Sequence, residues 1–162
     1  GGQPGRIGSL SKSIDDADIS QIDLVLDTNL RGTILCSRVA ARYMKKQMCG
    51  CIINLGSVIG IGGKCGMSDY AAAKAGVIGF SRSLALELGP FSVRCNCVSP
   101  GIVNQVPFDA GNEIMSSERN VLHRVGYTRE VAQLICNIID NTYITGQNYV
   151  IDGGRCIGLY GD

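Results

Sequence analysis

Three side chains between residues 57 and 74 have the types and the spacing needed for proton-transfer chemistry. Tyr70 and Lys74 are four residues apart, so on a helix they lie on one face, one turn from each other. Ser57 stands thirteen residues before Tyr70, at the end of an apolar run, and a loop can bring its hydroxyl to that face. Because a nearby ammonium favours the phenolate, the spacing predicts that Lys74 lowers the pKa of Tyr70 from about 10 towards neutrality. Such a phenol donates and accepts protons near operating pH.

A less specific interpretation is that Tyr70 is a surface tyrosine and Ser57 a loop or capping residue. A short Y-x-x-x-K pattern alone does not separate these interpretations. The joint pattern is rarer, because a serine at a strand end is followed at a fixed distance by Y-A-A-A-K opening a helix of small residues. We therefore favour the proton-transfer interpretation.

Three further segments accompany these residues. Asn29 lies in D-T-N-L-R-G, twenty-eight residues before Ser57, the run R-C-N-C-V-S-P-G ends at Gly101, and Y-I-T-G-Q-N-Y-V-I-D-G-G runs from Tyr143 to Gly154. Together with the serine, tyrosine and lysine, they resemble the short-chain dehydrogenase/reductase family. Within that family, the sequence of these segments most resembles the 3-oxoacyl-carrier-protein reductase-like branch. The resemblance covers essentially the whole chain.

The resemblance implies a catalytic role for each of four side chains. Tyr70 would exchange a proton with the substrate oxygen, and Ser57 would hydrogen-bond and orient that oxygen. Lys74 would lower the pKa of the tyrosine and hold the nicotinamide ribose. Asn29, at a helix distortion, would help to hold a water molecule that contacts the lysine. The alternative interpretation is that Asn29 has no catalytic role and is a polar residue tolerated on a solvent-exposed helix face.

The resemblance also implies NAD or NADP as cofactor. Tyr70 and Lys74 would contact it, and the backbone from Pro100 through Gly101 to Val103 would touch the nicotinamide carboxamide. At Gln105 the sequence departs from the family, which usually has a threonine there that contacts the same group. This departure weakens the cofactor inference.

Hydrophobic periodicity and turn residues predict the elements that position these groups. Asn104 to Tyr127 is expected to be a substrate-covering segment. The predicted elements are a long helix from Ile19 to about Met48 with a disturbance at Asn29 to Gly32, a strand at Cys51–Leu55, a helix from Ser68 to about Leu88, a strand at Ser92–Val98 followed by a turn at Ser99-Pro100-Gly101, a helix at Thr128–Ile139 and a strand at Gln147–Ile151.

The loop after the first strand contains three glycines at the spacing G-x-x-x-G-x-G, formed by Gly56, Gly60 and Gly62. This spacing can bind a cofactor phosphate only if the loop turns straight into a helix. Here the next predicted helix is delayed to about Ser68, and Ser57 lies inside the motif. We therefore expect the glycines to let the backbone pass close to substrate and nicotinamide.

Composition limits the class of protein. A chain of 162 residues with 45% hydrophobic and 18% charged residues is typical of one soluble globular domain. The net charge of +1 argues against nucleic acid as a partner, and no apolar run has the length of a membrane span. The eight cysteines include no C-x-x-C pair, so no metal site is predicted. They are interpreted as small buried residues of a cytoplasmic protein, with Cys65 the one to test for reactivity.

The predicted fold class is α/β, the C-terminal part of a doubly wound, Rossmann-like parallel sheet with flanking helices. Three strands are found, whereas a family member has four more upstream, including the glycine turn that binds pyrophosphate. Residues 1–162 are therefore interpreted as a single, apparently partial domain that corresponds to the C-terminal two-thirds of a dehydrogenase.

The predicted function is an NAD(P)-dependent oxidoreductase that interconverts a carbonyl and an alcohol of a small molecule. A second hypothesis is a truncated, non-catalytic fragment or partner subunit. A third retains the fold but has epimerase or dehydratase activity on a nucleotide sugar. The small residues of the Ser68–Leu88 helix fit a homodimer or homotetramer interface, as in the family, and equally fit close packing within one chain.

Overall fold

A computed structural model describes residues 13–104 and 120–158 of the chain. The predicted helices and strands are present, with small shifts at their ends. The elements are α1 (Ile19–Leu26), a π-helical segment (Asp27–Arg31), α2 (Gly32–Gln47), β1 (Gly50–Leu55), α3 (Ile59–Gly62), α4 (Ser68–Leu88), β2 (Val93–Pro100), β3 (Val103–Asn104), β4 (Gly126–Tyr127), α5 (Thr128–Asp140), β5 (Asn148–Ile151) and α6 (Arg155–Gly158).

The three predicted strands form one parallel sheet in the order β1-β2-β5. Alternate residues of a strand face opposite sides of a sheet. Cys95 and Asn96 are both fully buried, so central strand β2 is covered on both faces. The helices α2, α4 and α5 pack against this strand. A parallel sheet covered by helices confirms the α/β prediction.

The end of β2 differs from the predicted turn at Ser99-Pro100-Gly101. The strand continues to Pro100, which pairs with Ile151 of β5. The proline at this last position has no backbone N–H to donate, but its carbonyl accepts a hydrogen bond from the Val58 backbone N–H at 3.2 Å. The loop after β1 is thereby tied to the end of the central strand.

A second, two-stranded parallel sheet pairs β3 with β4. The sequence did not predict it, because two residues are too few to show alternation. Most of the predicted substrate-covering segment lies outside the described residues. Its described end carries β4 and leads directly into α5.

The predicted disturbance in the first long helix is present as the π-helical segment Asp27–Arg31. The side-chain amide of Asn29 donates to the Val25 carbonyl at 3.1 Å, and the Asn29 carbonyl accepts from the Thr33 hydroxyl at 2.8 Å. Both are interactions in which a side chain competes for helix backbone groups. The π-helical segment packs against α4, where Leu30 lies over Gly76.

A buried polar network joins β1 to the helices above it. The Ser37 hydroxyl of α2 donates to the Asn54 side-chain oxygen at 3.1 Å, and the Asn54 amide donates to the Ser81 hydroxyl of α4 at 2.9 Å. Ser81 in turn donates to the Val77 carbonyl at 2.8 Å. The side chains of this network satisfy one another, so the network fixes how the two helices lie over the strand.

Arg94 on β2 anchors the end of α5. Its guanidinium donates to the carbonyls of Ile138 at 3.0 Å and Ile139 at 2.7 Å, in the last turn of that helix, and to the carbonyl of Ile144 at 2.8 Å. Carbonyls in a last turn lack helical partners, and a cation there is favourable. The contact holds α5 beside the sheet.

The cysteine prediction is only partly correct. All eight thiols are free, and Cys95 and Cys97 are buried in β2. Half of the cysteines are nevertheless exposed, namely Cys36, Cys49, Cys65 and Cys136. Cys36 of α2 and Cys136 of α5 lie on outward helix faces, which the local pattern alone did not reveal.

Among the described helices, none combines the length and the apolarity needed to cross a lipid bilayer.

Candidate active site

Ser57 and Tyr70 meet at the end of the sheet. Ser57 is buried just beyond β1, and Tyr70 is half-buried in the first turn of α4. The Ser57 hydroxyl lies close enough to the Tyr70 phenol to favour its ionised form, and both residues line one cavity. The Ser57 oxygen also accepts the backbone N–H of Ile59 at 3.2 Å, which holds the serine in place. The structure therefore brings together two of the predicted site residues.

The pKa of Tyr70 moves in the direction opposite to the prediction. Burial of the phenol raises it above its usual value of 10.0, and the hydrogen bond from Ser57 lowers it by less. Desolvation disfavours the charged phenolate, and here that effect dominates. The tyrosine of this structure is consequently a protonated acid at neutral pH. The predicted shift towards neutrality is wrong for the protein without ligands.

Lys74 lies one helical turn beyond Tyr70, as predicted, but its charge is directed at the backbone. Its ammonium donates to the Leu55 carbonyl at 2.9 Å and lies 5.6 Å from the centre of the Tyr70 ring. Burial lowers the pKa of Lys74, and the nearby Cys97 thiol opposes this shift. The carbonyl at the end of β1 thus partly offsets the desolvation of the ammonium. This anchoring explains why Lys74 does not acidify Tyr70 here.

The glycines of the loop after β1 serve internal packing. A Cβ at Gly60 would lie 2.7 Å from the Ala75 nitrogen and 2.7 Å from the Lys74 carbonyl carbon. A Cβ at Gly56 would lie 2.5 Å from the Ser99 hydroxyl. No described atom lies near a Cβ at Gly62. Gly56 and Gly60 therefore allow the loop to pack closely on β2 and α4, and the approach of these glycines to substrate and nicotinamide stays a prediction.

A cavity of about 550 Å³ opens beside the Ser57–Tyr70 pair. This volume is within the range of small-molecule sites. Three other predicted positions line it, namely Pro100, Gly101 and Val103. The remaining lining residues are Val58, Ile59, Lys64, Met67, Ile102, Thr128, Val131 and Arg155.

The structure separates two of the predicted residues from the cavity wall. Lys74 is not among the lining residues, and its ammonium donates to the Leu55 carbonyl. Asn29 lies in the π-helical segment that packs against α4, with its side chain turned back to its own helix. Gly101 lies at the wall because its backbone approaches Asp152, whose Cα would lie 2.9 Å from an added Cβ.

Two positively charged side chains that line the cavity were not predicted from the sequence. Lys64 lies on the loop between α3 and α4, and Arg155 follows the double glycine after β5. Gly153 and Gly154 both have a positive φ, so the chain turns sharply before Arg155. The D-G-G-R run was a visible turn signal, but only the fold shows that this turn ends at the cavity.

Comparison with known proteins assigns the family. The family model described as "Enoyl-(Acyl carrier protein) reductase" matches residues 4–155. The human 3-oxoacyl-[acyl-carrier-protein] reductase is 39% identical over 151 residues, which cover 92% of this chain and 61% of that protein. The chain belongs to the short-chain dehydrogenase/reductase family. Its relatives place it in the 3-oxoacyl-carrier-protein reductase-like branch, as the sequence motifs predicted.

Solved structures of this family have the same fold. Acetoin dehydrogenase from Enterobacter cloacae superposes with a TM-score of 0.83 at 32% identity, covering 93% of this chain and 62% of that one. 4-Hydroxyisoleucine dehydrogenase complexed with NADH gives 0.80 at 28% identity, covering 89% and 63%. ElxO with NADP bound gives 0.80 at 31% identity, covering 88% and 60%. The predicted Rossmann-like fold class is confirmed, and the chain spans about three-fifths of these proteins.

Proposed function

We propose that the chain is the catalytic part of an NAD(P)-dependent oxidoreductase that interconverts a carbonyl and an alcohol. The observation that carries the proposal is that the Ser57 hydroxyl and the Tyr70 phenol lie together at the wall of one cavity. Two hydroxyl groups side by side can both hydrogen-bond the oxygen of a carbonyl substrate. Membership of an oxidoreductase family supports the reaction class.

In the reductive direction, Tyr70 is the proton donor. Its raised pKa keeps the phenol protonated, so a proton is available when negative charge develops on the substrate oxygen. Ser57 donates a hydrogen bond to the same oxygen and fixes its orientation, since its own position is held by the Ile59 N–H. A bound nicotinamide would supply the hydride, which no side chain of the protein can supply.

The nicotinamide end of NAD or NADP fits the residues present. The cavity volume is in the range of small-molecule sites, and Pro100, Gly101 and Val103 are among the lining residues. Lys74 lies beside Tyr70 on a helix face from which an ammonium can reach ribose hydroxyls. Asn29 would support the proton path from Lys74 to solvent. The NADH and NADP held by two related structures support this choice of cofactor.

Replacing Tyr70 by phenylalanine tests the proposed proton donor. The change removes one hydroxyl, so we expect kcat for ketone reduction to fall by about 10²- to 10⁴-fold. The melting temperature should stay close to that of the unaltered chain, because the ring still packs.

A matched control is Tyr143→Phe, since this tyrosine is 98% exposed between α5 and β5. The control should retain normal turnover. Appreciable reductase activity in Tyr70→Phe would remove Tyr70 from the role.

A non-catalytic partner subunit is the second candidate. Within the described sheet, β1 is an edge strand, and the Leu55 side chain at its end is 50% exposed. An open edge of this kind favours association with another chain. Titration with NADH and NADPH, followed by nicotinamide fluorescence, separates the two candidates. Saturable binding supports the enzyme, whereas no binding at millimolar cofactor supports the partner subunit.

A reducing cytosol is the location that we propose for the chain. All eight cysteines are free, including the neighbouring positions Cys95 and Cys97 on β2. Free thiols in this number suit a compartment in which disulfides do not persist.

A further inference from the structure

Arg155 carries a buried polar atom that the described residues do not satisfy. Its Nη1 is inaccessible to solvent and, among the described residues, has no hydrogen-bond partner. The residue also lines the cavity that contains Ser57 and Tyr70. A buried donor without an acceptor is unfavourable, and more so when it is charged. Arg155 as a whole is only half-buried, so part of its side chain remains accessible from the cavity.

The carboxylate nearest to Arg155 in sequence is already engaged. The oxygens of Asp152 accept the backbone N–H of Gly154 at 2.9 Å and of Cys156 at 2.7 Å, which closes the turn before α6. The ion pairs resolved within residues 13–104 and 120–158 join Arg31 to Asp27 and Arg124 to Glu130. Arg155 is in neither pair.

The described lining of the cavity carries charge of one sign. Arg155 and Lys64 are its charged lining residues within the described part of the chain, and no aspartate or glutamate is among that lining. Most of the other wall is apolar, formed by residues such as Met67, Ile102 and Val131. A cation in an apolar wall attracts an anion more strongly than one in water, because the local dielectric is lower.

We infer that Arg155 binds an anionic group of the substrate, so that the chain acts on carbonyl compounds that carry a carboxylate or a phosphate ester. This inference rests on the proposed function. The planar guanidinium presents N–H groups that match the oxygens of either anion. Ser57 and Tyr70 then bind the carbonyl oxygen at one wall of the cavity while Arg155 binds the anion at another.

Paired ketones, one with and one without an anionic group, test this inference. Acetoacetate is compared with methyl acetoacetate, and dihydroxyacetone phosphate with dihydroxyacetone, in the unaltered chain and in Arg155→Gln. We expect KM for the preferred anionic ketone to rise by about 10- to 100-fold in the variant. KM for the neutral ketone of that pair and for NADH or NADPH should stay unchanged. The pair that responds identifies the anion.

Two further variants sharpen the experiment. Arg155→Lys retains the charge without the planar fork, so it should recover part of the preference for the anionic ketone. Arg82→Gln removes an exposed arginine of α4 that does not line the cavity, and it should leave both KM values unchanged.

Three results would overturn the inference. One is an equal rise in KM for the charged and neutral members of both pairs, which indicates a structural role. Another is a rise in KM for the cofactor alone, which indicates that Arg155 binds a cofactor phosphate. The third is an unaltered chain that reduces neutral ketones as readily as anionic ones.

A binding measurement separates failure of this inference from failure of the proposed function. If the unaltered chain reduces no ketone, calorimetric titration with acetoacetate and with dihydroxyacetone phosphate is compared in the chain and in Arg155→Gln. Weaker binding of either anion to the variant supports the anion site without turnover. Equal binding to both proteins, or none to either, overturns it.

Discussion

The tyrosine of the candidate site shows how burial competes with hydrogen bonding at a single residue. The Ser57 hydroxyl favours the phenolate of Tyr70, yet burial of the ring raises the pKa by more than that hydrogen bond lowers it. Lys74 is close enough to contribute, with its ammonium 5.6 Å from the ring centre, but it is directed at the Leu55 carbonyl. Tyr70 is thus prepared to donate a proton rather than to accept one.

The pH at which Tyr70 ionises can be measured directly. Tyrosinate absorbance is followed with pH in the unaltered chain and in Tyr70→Phe, and the difference isolates this phenol. We expect ionisation above pH 10.0, because burial stabilises the protonated form. In Ser57→Ala the step should move to still higher pH, because the hydrogen bond that favours the phenolate is lost.

A step near neutral pH in the cofactor-free chain would contradict this assignment. It would instead support the interpretation in which Lys74 acidifies the phenol. Repeating the titration with bound cofactor tests whether Lys74 then leaves the Leu55 carbonyl.

At the scale of elements, the site depends on how the loop after β1 packs on α4. The sequence predicted the start of α4 at Ser68, and the structure confirms it. It did not predict α3, because four residues show no helical periodicity. This short helix lies against α4 at Lys74 and Ala75, where Gly60 leaves no room for a side chain. We infer that this contact keeps Ser57 beside Tyr70.

The substitution Gly60→Ala should separate these two elements. The new methyl group would meet backbone atoms that cannot rotate away, so we expect a loss of about 1–3 kcal/mol in the free energy of unfolding. Turnover should fall as well, since Ser57 moves with α3. Urea unfolding and ketone reduction measure the two effects.

The matched control is Gly62→Ala in the same helix. No described atom lies within 4 Å of its added Cβ, so the substitution should be neutral or slightly stabilising. Equal stability of the two variants would show that α3 is not held by close packing at Gly60.

At the scale of the whole molecule, one helix face is apolar and exposed. Leu35, Val39 and Tyr43 follow each other at intervals of four residues along α2, and their side chains are 48%, 50% and 65% exposed. An apolar stripe of this kind marks an interaction surface. Part of the small-residue face of α4, by contrast, is used inside the chain, where Gly76 lies under Leu30. We propose that α2 contributes to a homodimer, alone or within a homotetramer.

The substitution Val39→Asp tests the proposed interface. A carboxylate in the centre of the stripe would be buried without a partner, so we expect the unaltered chain to have the mass of a dimer or tetramer by light scattering and the variant to have the mass of a smaller species. Tyr143→Asp, at an exposed loop, should leave the mass unchanged. A monomeric unaltered chain would contradict the proposal.

Local sequence determined most of the helices and strands. The helix Ser68–Leu88 was predicted with the bounds that the structure has, because its periodicity, small residues and the Gly89-Pro90 stop are all local signals. The disturbance at Asn29 was predicted for the same reason, since a side chain that competes for backbone hydrogen bonds acts within one turn. The spacing of Ser57 and Tyr70 indicated a meeting of the two hydroxyl groups.

Other features depended on contacts between residues far apart in the chain. The direction of the Tyr70 pKa shift follows from burial by surrounding elements, and the need for glycine at position 60 follows from a backbone on another helix. Arg155 stood beside an ordinary turn signal, and only folding brings it to the cavity of Tyr70 with a buried Nη1 that lacks a described partner. Sequence alone determined the elements and the residue types because these depend on near neighbours. Tertiary structure decided desolvation, close packing and the charge of the cavity, because these depend on what covers each group.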